Sequence, residues 1–284
     1  MRFAPSPNGY LHLGHAFSAL FVKNMAQRLG GTWLLRIEDM DPDRSKTRFI
    51  KAIYTDLAWL GLEWPRPVLL QSNRLDAYEK AARRLFDLGL LYPCFCSRKQ
   101  IRQNSTTARD PDGAPLYPGT CKNLGRDEIA ASLATKKPVQ YRLDIQKALT
   151  LTGPLSFWQL PARPEPEQKS EPEKVPCHPE RWGDVVILRK DIPASYHLGV
   201  VTDDAFQGIT HVTRGKDLLA STDLHRVLQT LLGLPEPVYS HHELINDEQR
   251  QKLSKSRKSQ SLQALRRAGM SPGDIRVRLG FTSG

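Results

Sequence analysis

A short motif near the start of the chain, His12-Leu13-Gly14-His15, has the residue types that phosphate chemistry requires. Gly14 lets the backbone approach a nucleotide closely, and a helix that begins here presents unpaired amides to phosphate. The imidazoles of His12 and His15 can donate hydrogen bonds to phosphoryl oxygens as negative charge develops. The motif predicts nucleotide binding by His12, Gly14 and His15, although two surface histidines at a helix start would give the same pattern.

A second candidate motif lies near the other end of the chain and reads Lys252-Leu253-Ser254-Lys255-Ser256. Its lysines, Lys252 and Lys255, could close over a triphosphate and offset its charge. A lysine-serine loop by itself is more often solvated surface. Its interpretation as a nucleotide site therefore depends on its occurrence with the histidine motif in the same chain.

The elements that must position the histidine motif are typical of a parallel sheet. Residues 2–4 and 32–37 read as short strands, and apolar residues recur at helical spacing over residues 14–29. A strand, a helix and a second strand form one right-handed crossover unit. Ligands of such sheets bind beyond the carboxyl ends of the strands, where the histidine motif and Glu38 would lie.

Further elements and two loop-like tracts are predicted in the rest of the chain. We predict helices over residues 73–88 and 221–232 and strands over residues 139–143, 185–188 and 209–212. Residues 103–115 read as a loop. Residues 161–180 hold six prolines and five glutamates and almost no large apolar groups. That tract buries too little surface to offset its chain entropy, so we predict a mobile loop.

The composition favours a globular protein with a polyanionic partner. Hydrophobic residues make up 39% of the 284 residues and charged residues 25%, and the formal net charge is +11. The basic excess is concentrated in residues 250–284, which hold nine Lys or Arg and one acid, Asp274. Such a concentration suits a nucleic acid. Because no 18-residue apolar run or signal-peptide core is present, we expect no membrane span and a cytoplasmic location.

Three cysteines form a candidate metal site. Cys94 and Cys96 begin a zinc-like pattern, and Cys121 is a third plausible thiolate. The residues alone point to Cys177 or His178 for the fourth ligand. Reduced structural thiols stay open as the alternative, because cysteines in a cytoplasmic chain do not suggest disulfides.

The two motifs in this order resemble the HIGH and KMSKS signatures of class I aminoacyl-tRNA synthetases, here in the forms HLGH and KLSKS. The glutamyl branch of that family is the closer resemblance. Its pattern also matches residues 2–9, 36–41, 196–204 and 211–218. The resemblance covers nearly the whole chain apart from the two loop-like tracts.

The resemblance implies a fold and its division into segments. The fold is a Rossmann-type parallel α/β sheet with helices on both faces, whose two halves would be residues 1–89 and 184–240. Residues 90–183 would form an inserted zinc-binding α+β subdomain. Residues 241–284 would form the KLSKS loop and a short helical tail, without an anticodon-binding domain.

The resemblance also implies a site for L-glutamate and ATP. Glutamate carries two carboxylates and one ammonium, so two arginines and one carboxylate form a minimal complementary set. The residues implied to bind glutamate are Arg2, Phe3, Ala4, Pro5, Ser6, Glu38, Tyr196 and Arg214. Those implied to bind ATP with Mg²⁺ are His12, Gly14, His15, Lys252 and Lys255, of which His12, His15 and Lys255 would be catalytic. Which arginine takes which carboxylate stays open.

For the metal site, the resemblance implies a different fourth ligand from the one that the residues alone suggest. The implied set for one structural Zn²⁺ is Cys94, Cys96, Tyr117 and Cys121. A structural zinc would stabilise the subdomain, because ligation energy becomes folding energy.

The implied RNA substrate depends on the length of the chain. Full-length glutamyl members continue into helical anticodon-reading domains, whereas only residues 257–284 follow the KLSKS loop here. The resemblance is therefore to the short members, which attach glutamate to queuosine in the anticodon stem-loop of tRNA(Asp). We expect a monomer that activates glutamate without tRNA. Two alternatives stay open: a minimal enzyme that charges the 3′ end of tRNA(Glu), and a non-catalytic binding or regulatory protein.

Overall fold

Ten strands and ten α-helices lie in the residues that the computed structural model describes, 1–162, 171–192, 194–245 and 260–281. The strands are β1 (Arg2–Phe3), β2 (Leu34–Ile37), β3 (Leu69–Leu70), β4 (Leu91–Cys94), β5 (Gln140–Leu143), β6 (Ser156–Gln159), β7 (Glu173–Pro176), β8 (Val186–Leu188), β9 (His211–Gly215) and β10 (Val238–His242). The helices are α1 (Leu13–Arg28), α2 (Thr47–Trp59), α3 (Leu75–Asp87), α4 (Arg98–Asn104), α5 (Arg126–Ala134), α6 (Ile145–Thr152), α7 (Tyr196–Phe206), α8 (Ser221–Leu232), α9 (Leu262–Arg267) and α10 (Pro272–Arg278). None of these helices combines the length and the apolar character that crossing a membrane requires.

Two sheets contain the parallel strands. The first has the order β1-β2-β3 and is parallel throughout, with Arg2 opposite Leu34 and Arg36 opposite Leu69. The second has the order β7-β6-β10-β9, in which β10 runs parallel to both β6 and β9. Arg2 Nη1 donates to the Thr213 carbonyl at 3.4 Å, so β1 lies beside β9. The predicted α/β fold with a parallel sheet is confirmed.

Helix α1 begins at the histidine motif because that motif caps it. The His12 side chain accepts a hydrogen bond from the Gly14 N–H, as an N-cap does. Phe17 and Leu20 are buried at helical spacing, in a core that α1 shares with the first sheet. The cap and the core together fix His12 and His15 beside the carboxyl end of β1.

A second core joins α3, α7 and α8. Tyr78, Leu198 and Val227 are buried where these helices meet. Helix α8 covers the residues predicted for it, 221–232, and ends where Gly233 adopts φ 63°, a left-handed conformation that glycine reaches without strain. This core supports α7, which carries Tyr196 and an acidic pair at residues 203 and 204.

The third sheet is antiparallel and has the order β4-β5-β8. Its first strand ends at Cys94, which places the cysteine cluster at one end of this sheet. The predicted segment boundaries at residues 89, 183 and 240 stay predictions.

The C-terminal helices return to the first sheet. Leu262 and Leu265 of α9 and Ile275 of α10 are buried in the same core as α1. Arg276 Nη2 also donates to the Leu60 carbonyl at 2.7 Å. Helices α9 and α10 are therefore part of the packed fold.

Two expectations about individual elements need correction. The tract at residues 161–180 is not a loop throughout, because Glu173–Pro176 forms β7, which pairs antiparallel with β6. An edge strand can be held by backbone hydrogen bonds without apolar periodicity, so β7 could not be predicted from the composition of the tract. Residues 163–170 of the tract lie outside the described residues. The second correction concerns omissions: several elements were not predicted, among them α6, β10 and α2, although Ile53 and Leu57 of α2 are buried at helical spacing.

Candidate active site

A cavity of about 710 Å³ opens where the carboxyl ends of β1, β2 and β9 meet the start of α1. Every residue predicted to bind glutamate lines it: Arg2, Phe3, Ala4, Pro5, Ser6, Glu38, Tyr196 and Arg214. The predicted ATP residues His12, Gly14 and His15 line it too. Lys252 and Lys255 lie outside the described residues. Two sets of side chains predicted for two ligands thus share one cavity.

The histidine motif has hydrogen bonds that fix the tautomer of each neutral imidazole. His12 Nδ1 accepts from the Gly14 N–H at 3.1 Å, and His15 Nδ1 accepts from the His12 N–H at 3.3 Å. The ring proton of each is therefore assigned to Nε2 from the hydrogen-bond network. A Cβ atom on Gly14 would lie 3.1 Å from His12 Cε1, so glycine also leaves room for this ring. Both imidazoles can donate from Nε2 to a ligand oxygen.

The described residues on both sides of the gap at 246–259 lie at this cavity. Ile245 lines it. Ser261 forms an antiparallel bridge with His12, and the Leu262 N–H donates to the Leu11 carbonyl at 2.7 Å. The described residues that flank positions 246–259 on both sides therefore contact the cavity or the histidine motif at its edge.

Arg2 is held at the cavity by a buried carboxylate on α7. Its Nε lies 2.9 Å from Asp204 Oδ1, and Arg36 Nη1 lies 2.8 Å from the same oxygen. Burial acts to raise the pKa of Asp204, but the two arginines outweigh it and lower that pKa below its ordinary value. Asp204 is therefore an anion between two guanidinium groups.

Glu38 lies just past the end of β2 and has an unusual acidity. Its Oε1 is 3.7 Å from Arg36 Nη2. Burial, opposed in part by Arg36 and Arg2, raises the pKa of Glu38 to about 7. A cationic ligand stabilises the ionised form of such a buried carboxylate, because the ligand replaces the hydration that burial removed.

Arg214, on β9, is surrounded by neutral acceptors. Its Nε donates to His241 Nε2 at 3.2 Å, its Nη1 contacts His225 Nδ1 at 3.0 Å, and its Nη2 donates to Thr222 Oγ1 at 2.7 Å. Burial and the Arg214 charge lower the pKa of His225 well below its ordinary value; burial, Arg214 and a neighbouring histidine lower that of His241 to about 2. Both imidazoles are therefore uncharged.

Tyr196 completes this side of the cavity at the first residue of α7. Ser195 caps that helix by accepting from the Leu198 N–H. Burial raises the pKa of Tyr196 despite the opposing charge of Arg214. The phenol is therefore neutral and available as a hydrogen-bond donor to a substrate.

Comparison with known proteins agrees with this geometry. A family model described as "tRNA synthetases class I (E and Q), catalytic domain" matches residues 1–280. A glutamyl-Q tRNA(Asp) synthetase from Rhodobacter capsulatus is 44% identical over 289 residues, which cover 99% of each chain. The chain belongs to the glutamyl-Q tRNA(Asp) synthetase family of class I tRNA synthetases.

Two further relatives connect this synthetase with glutamate–tRNA ligases. The ligase of Aquifex aeolicus is 35% identical over 95% of this chain and 54% of its own. A solved structure of the Elizabethkingia meningosepticum ligase in complex with its amino acid superposes with a TM-score of 0.70 at 27% identity, over 90% of this chain and 51% of that one. The chain thus spans about half the length of these two ligases.

The cysteine cluster of this synthetase has a donor set that fits zinc. The Sγ atoms of Cys94, Cys96 and Cys121 all lie within 4.8 Å of one another, and 3.5 Å separates those of Cys96 and Cys121. Sulfur atoms around a tetrahedral zinc are about 3.8 Å apart. The Tyr117 hydroxyl lies 3.4 Å from Cys94 Sγ and 3.8 Å from Cys96 Sγ. Three thiols and a phenol thus converge on one point.

The alternative ligands Cys177 and His178 do not join this cluster. Cys177 packs instead against the core that contains Phe157, and His178 pairs with Glu180 at 3.4 Å. The cluster is supported by Arg142, whose Nε donates to Cys94 Sγ at 3.3 Å. Burial acts to raise the pKa of Cys94, but hydrogen bonding with Tyr117, Gln140 and Arg142 lowers it to about 7. Gln140 and Arg142, which donate to Cys94 Sγ, favour the thiolate, which is the metal-binding form.

Sequence reasoning missed the charged residues that hold the synthetase site together. Arg36 is completely buried, and it was predicted only as part of a strand and of the family pattern at residues 36–41, without a role in the site. Asp203 accepts from Gln71, Arg74 and Tyr78, and Asp204 pairs with Arg2 and Arg36. Charged residues inside apolar segments could have indicated them, because a charge that is buried with its segment requires a partner of opposite charge.

Proposed function

We propose that the chain activates L-glutamate with ATP and transfers it to queuosine at the wobble position of tRNA(Asp). The transfer is supported by the family, since the Rhodobacter capsulatus relative named glutamyl-Q tRNA(Asp) synthetase covers the chain almost end to end. The activation step is supported by the cavity itself.

The observation that carries this proposal is the charge pattern of the cavity. Two guanidinium groups, Arg2 and Arg214, and the carboxylate of Glu38 line the same space, which Asp217 also borders. Glutamate offers the complementary two carboxylates and one ammonium. A bidentate arginine–carboxylate pair contributes roughly 3 kcal/mol, or about a hundredfold, toward glutamate over glutamine.

The first step joins glutamate to AMP. A carboxylate oxygen of the α-carboxyl group attacks the α-phosphorus of ATP, the bond to the β-phosphate oxygen breaks, and pyrophosphate leaves. His12 and His15 donate from Nε2 to phosphate oxygens, and Lys255 stabilises the negative charge on the leaving group. Mg²⁺ bound to ATP supplies further charge neutralisation.

The second step transfers the glutamyl group to the RNA. A hydroxyl of the queuosine cyclopentene ring attacks the acyl carbon of glutamyl-AMP and loses its proton, an ester forms, and AMP leaves with the bonding electrons. Each step is a direct displacement between bound substrates, so no covalent enzyme intermediate is required.

Several finer statements belong to the same proposal. Cys94, Cys96, Tyr117 and Cys121 hold one structural Zn²⁺ in an inserted subdomain within residues 90–183, where the metal stabilises the fold. The enzyme acts in the cytoplasm as a monomer. The excess of basic residues after residue 250 favours RNA binding.

Glutamate-dependent ATP–pyrophosphate exchange without tRNA tests the activation step. Exchange with glutamate but not with glutamine or aspartate is expected, and its absence would favour a non-catalytic protein.

The likeness to the Aquifex aeolicus ligase supports a second candidate function, which is charging of tRNA(Glu) at its 3′ end. Nuclease digestion after acylation with labelled glutamate separates the two, because the label then stays with either an anticodon nucleotide or the terminal adenosine.

A further inference from the structure

The two arginines of the cavity are held in different ways. Arg2 shares the negative charge of Asp204, at 2.9 Å. Arg214 forms no ion pair with any carboxylate among the described residues, and the groups that hydrogen-bond it, which are His225, His241, Thr222 and the hydroxyl of Tyr196, are uncharged. Arg214 therefore keeps its full positive charge although only 5% of its surface is exposed.

The protons of the two histidines can be assigned from their partners. His225 accepts from Arg214 at Nδ1, so its proton is on Nε2, which lies 3.3 Å from His197 Nδ1. His241 accepts at Nε2, so its proton is on Nδ1, which lies 2.9 Å from Gln159 Oε1. Every ring nitrogen of His225 and His241 has a partner that suits the neutral form. The two side chains are 2% and 1% exposed, so their hydrogen bonds are shielded from bulk water.

The type of acceptor determines what the cavity can select. A carboxylate in place of either imidazole would hold Arg214 equally well but would neutralise it. A neutral pair would then bind the amide of glutamine nearly as well as a carboxylate. An imidazole orients the guanidinium and leaves its charge for the ligand, where hydrogen bonds between charged groups are about twice as strong as neutral ones.

We propose that His225 and His241 are positioning residues that set the selectivity of the site for glutamate, because they orient Arg214 through neutral nitrogens and leave its charge to the side-chain carboxylate of the substrate, the group that glutamine lacks. This inference rests on the proposed function, since it concerns the recognition of the same amino acid. It adds two residues that lie outside the lining of the cavity and act on the substrate only by orienting Arg214.

A matched pair of substitutions at His225 tests the inference. His225→Asn places an amide oxygen near the position of Nδ1 and keeps a neutral acceptor, whereas His225→Asp has the same shape and adds a negative charge. We expect His225→Asn to stay within about threefold of the wild-type KM for glutamate. We expect His225→Asp to raise that KM about tenfold or more, with kcat little changed, and to lower discrimination against glutamine by a similar factor.

The same comparison at His241 uses His241→Gln, which presents its amide near Nε2, and His241→Glu as the charged partner. Thermal unfolding of all four variants shows at which position, 225 or 241, both the neutral and the charged variant are folded. The kinetic comparison is made at that position. Equal effects of the neutral and the charged variant would overturn the inference, because a merely structural role does not distinguish them. So would an unchanged KM and unchanged discrimination in the charged variant.

Direct binding of glutamate by calorimetry accompanies the kinetics. If the wild-type protein binds glutamate but shows no pyrophosphate exchange, the proposed catalysis is contradicted. The glutamate affinities of the charged and neutral variants then still decide the role of the histidines. Wild-type protein that binds no glutamate would overturn both.

Discussion

Replacing Glu38 with Gln should change substrate binding and folding stability in opposite directions. Glu38 lines the cavity, and the proposed function makes it the acceptor for the ammonium group of glutamate. Gln keeps the size of the side chain and an amide oxygen but removes the negative charge. The substitution therefore isolates the charge from the shape.

The expected loss of binding follows from one charged hydrogen bond. Such a bond contributes roughly 1.5–3 kcal/mol. Glu38→Gln should therefore raise the KM for glutamate about 10- to 150-fold, while kcat at saturating glutamate changes little. In the wild type, affinity for glutamate should rise from pH 6 to pH 8 as Glu38 ionises, since its pKa is raised to about 7. The variant should lack this dependence.

The expected gain in stability follows from the same shift. Burial, offset only in part by Arg36 and Arg2, raises the pKa of Glu38 from 4.5 to about 7 in the folded chain. Folding therefore favours the protonated form, and the stability contribution of this group declines as the pH rises from 4.5 to about 7. Gln has no proton to lose. At pH 8 the variant should be more stable by about 3 kcal/mol, roughly 5–10 °C in Tm.

Pyrophosphate exchange across the pH range and thermal unfolding at pH 5 and pH 8 measure both effects. Glu63→Gln is the control, because Glu63 is exposed and lies outside the cavity. An unchanged KM would refute the role of Glu38 in binding the ammonium. A lower Tm than wild type at pH 8 would refute the reasoning about its burial.

Four further predictions concern the other parts of the site. His15→Ala should slow pyrophosphate exchange by about a hundredfold with little change in the KM for glutamate, and His15→Gln, which retains a donor near Nε2, should recover part of the rate. Lys255→Ala should slow exchange well over tenfold without weakening glutamate binding measured by calorimetry; unchanged exchange would exclude its role. Asp204→Asn should lower the free energy of unfolding by about 3–5 kcal/mol in a denaturant titration, because it leaves two buried arginines without their shared anion, whereas the exposed Glu79→Gln should have almost no effect. Cys121→Ser should reduce the zinc content measured by mass spectrometry and lower the Tm, and equal Tm values before and after chelation of the wild type would contradict a structural metal.

Local patterns in the sequence predicted the main elements of the fold well. Helix α8 has the predicted bounds, 221–232, because its apolar periodicity is regular and Gly233 ends it. Helix α2 could have been found in the same way, from Ile53 and Leu57. Strand β7 could not, because it is stabilised by pairing with β6 and not by an apolar face.

The residues that line the cavity were predictable from motifs, but their supports were not. Arg2 and Asp204 are 202 positions apart and meet only because the fold brings β1 and α7 together. The neutral surroundings of Arg214 are equally hidden, since His225 comes from α8 and His241 from β10. Periodicity indicates which face of an element is buried, whereas these partnerships depend on how separate elements are placed in three dimensions.

The position of labelled glutamate on tRNA tests the central claim most directly. Purified protein would be incubated with ATP, radiolabelled glutamate and one of three RNAs: queuosine-containing tRNA(Asp), the same tRNA with unmodified guanosine, or tRNA(Glu). The RNA would then be digested with nuclease. Label that remains with the wobble nucleotide, and only when queuosine is present, is the predicted result. Label on the terminal adenosine of tRNA(Glu), with none on queuosine, would contradict the account.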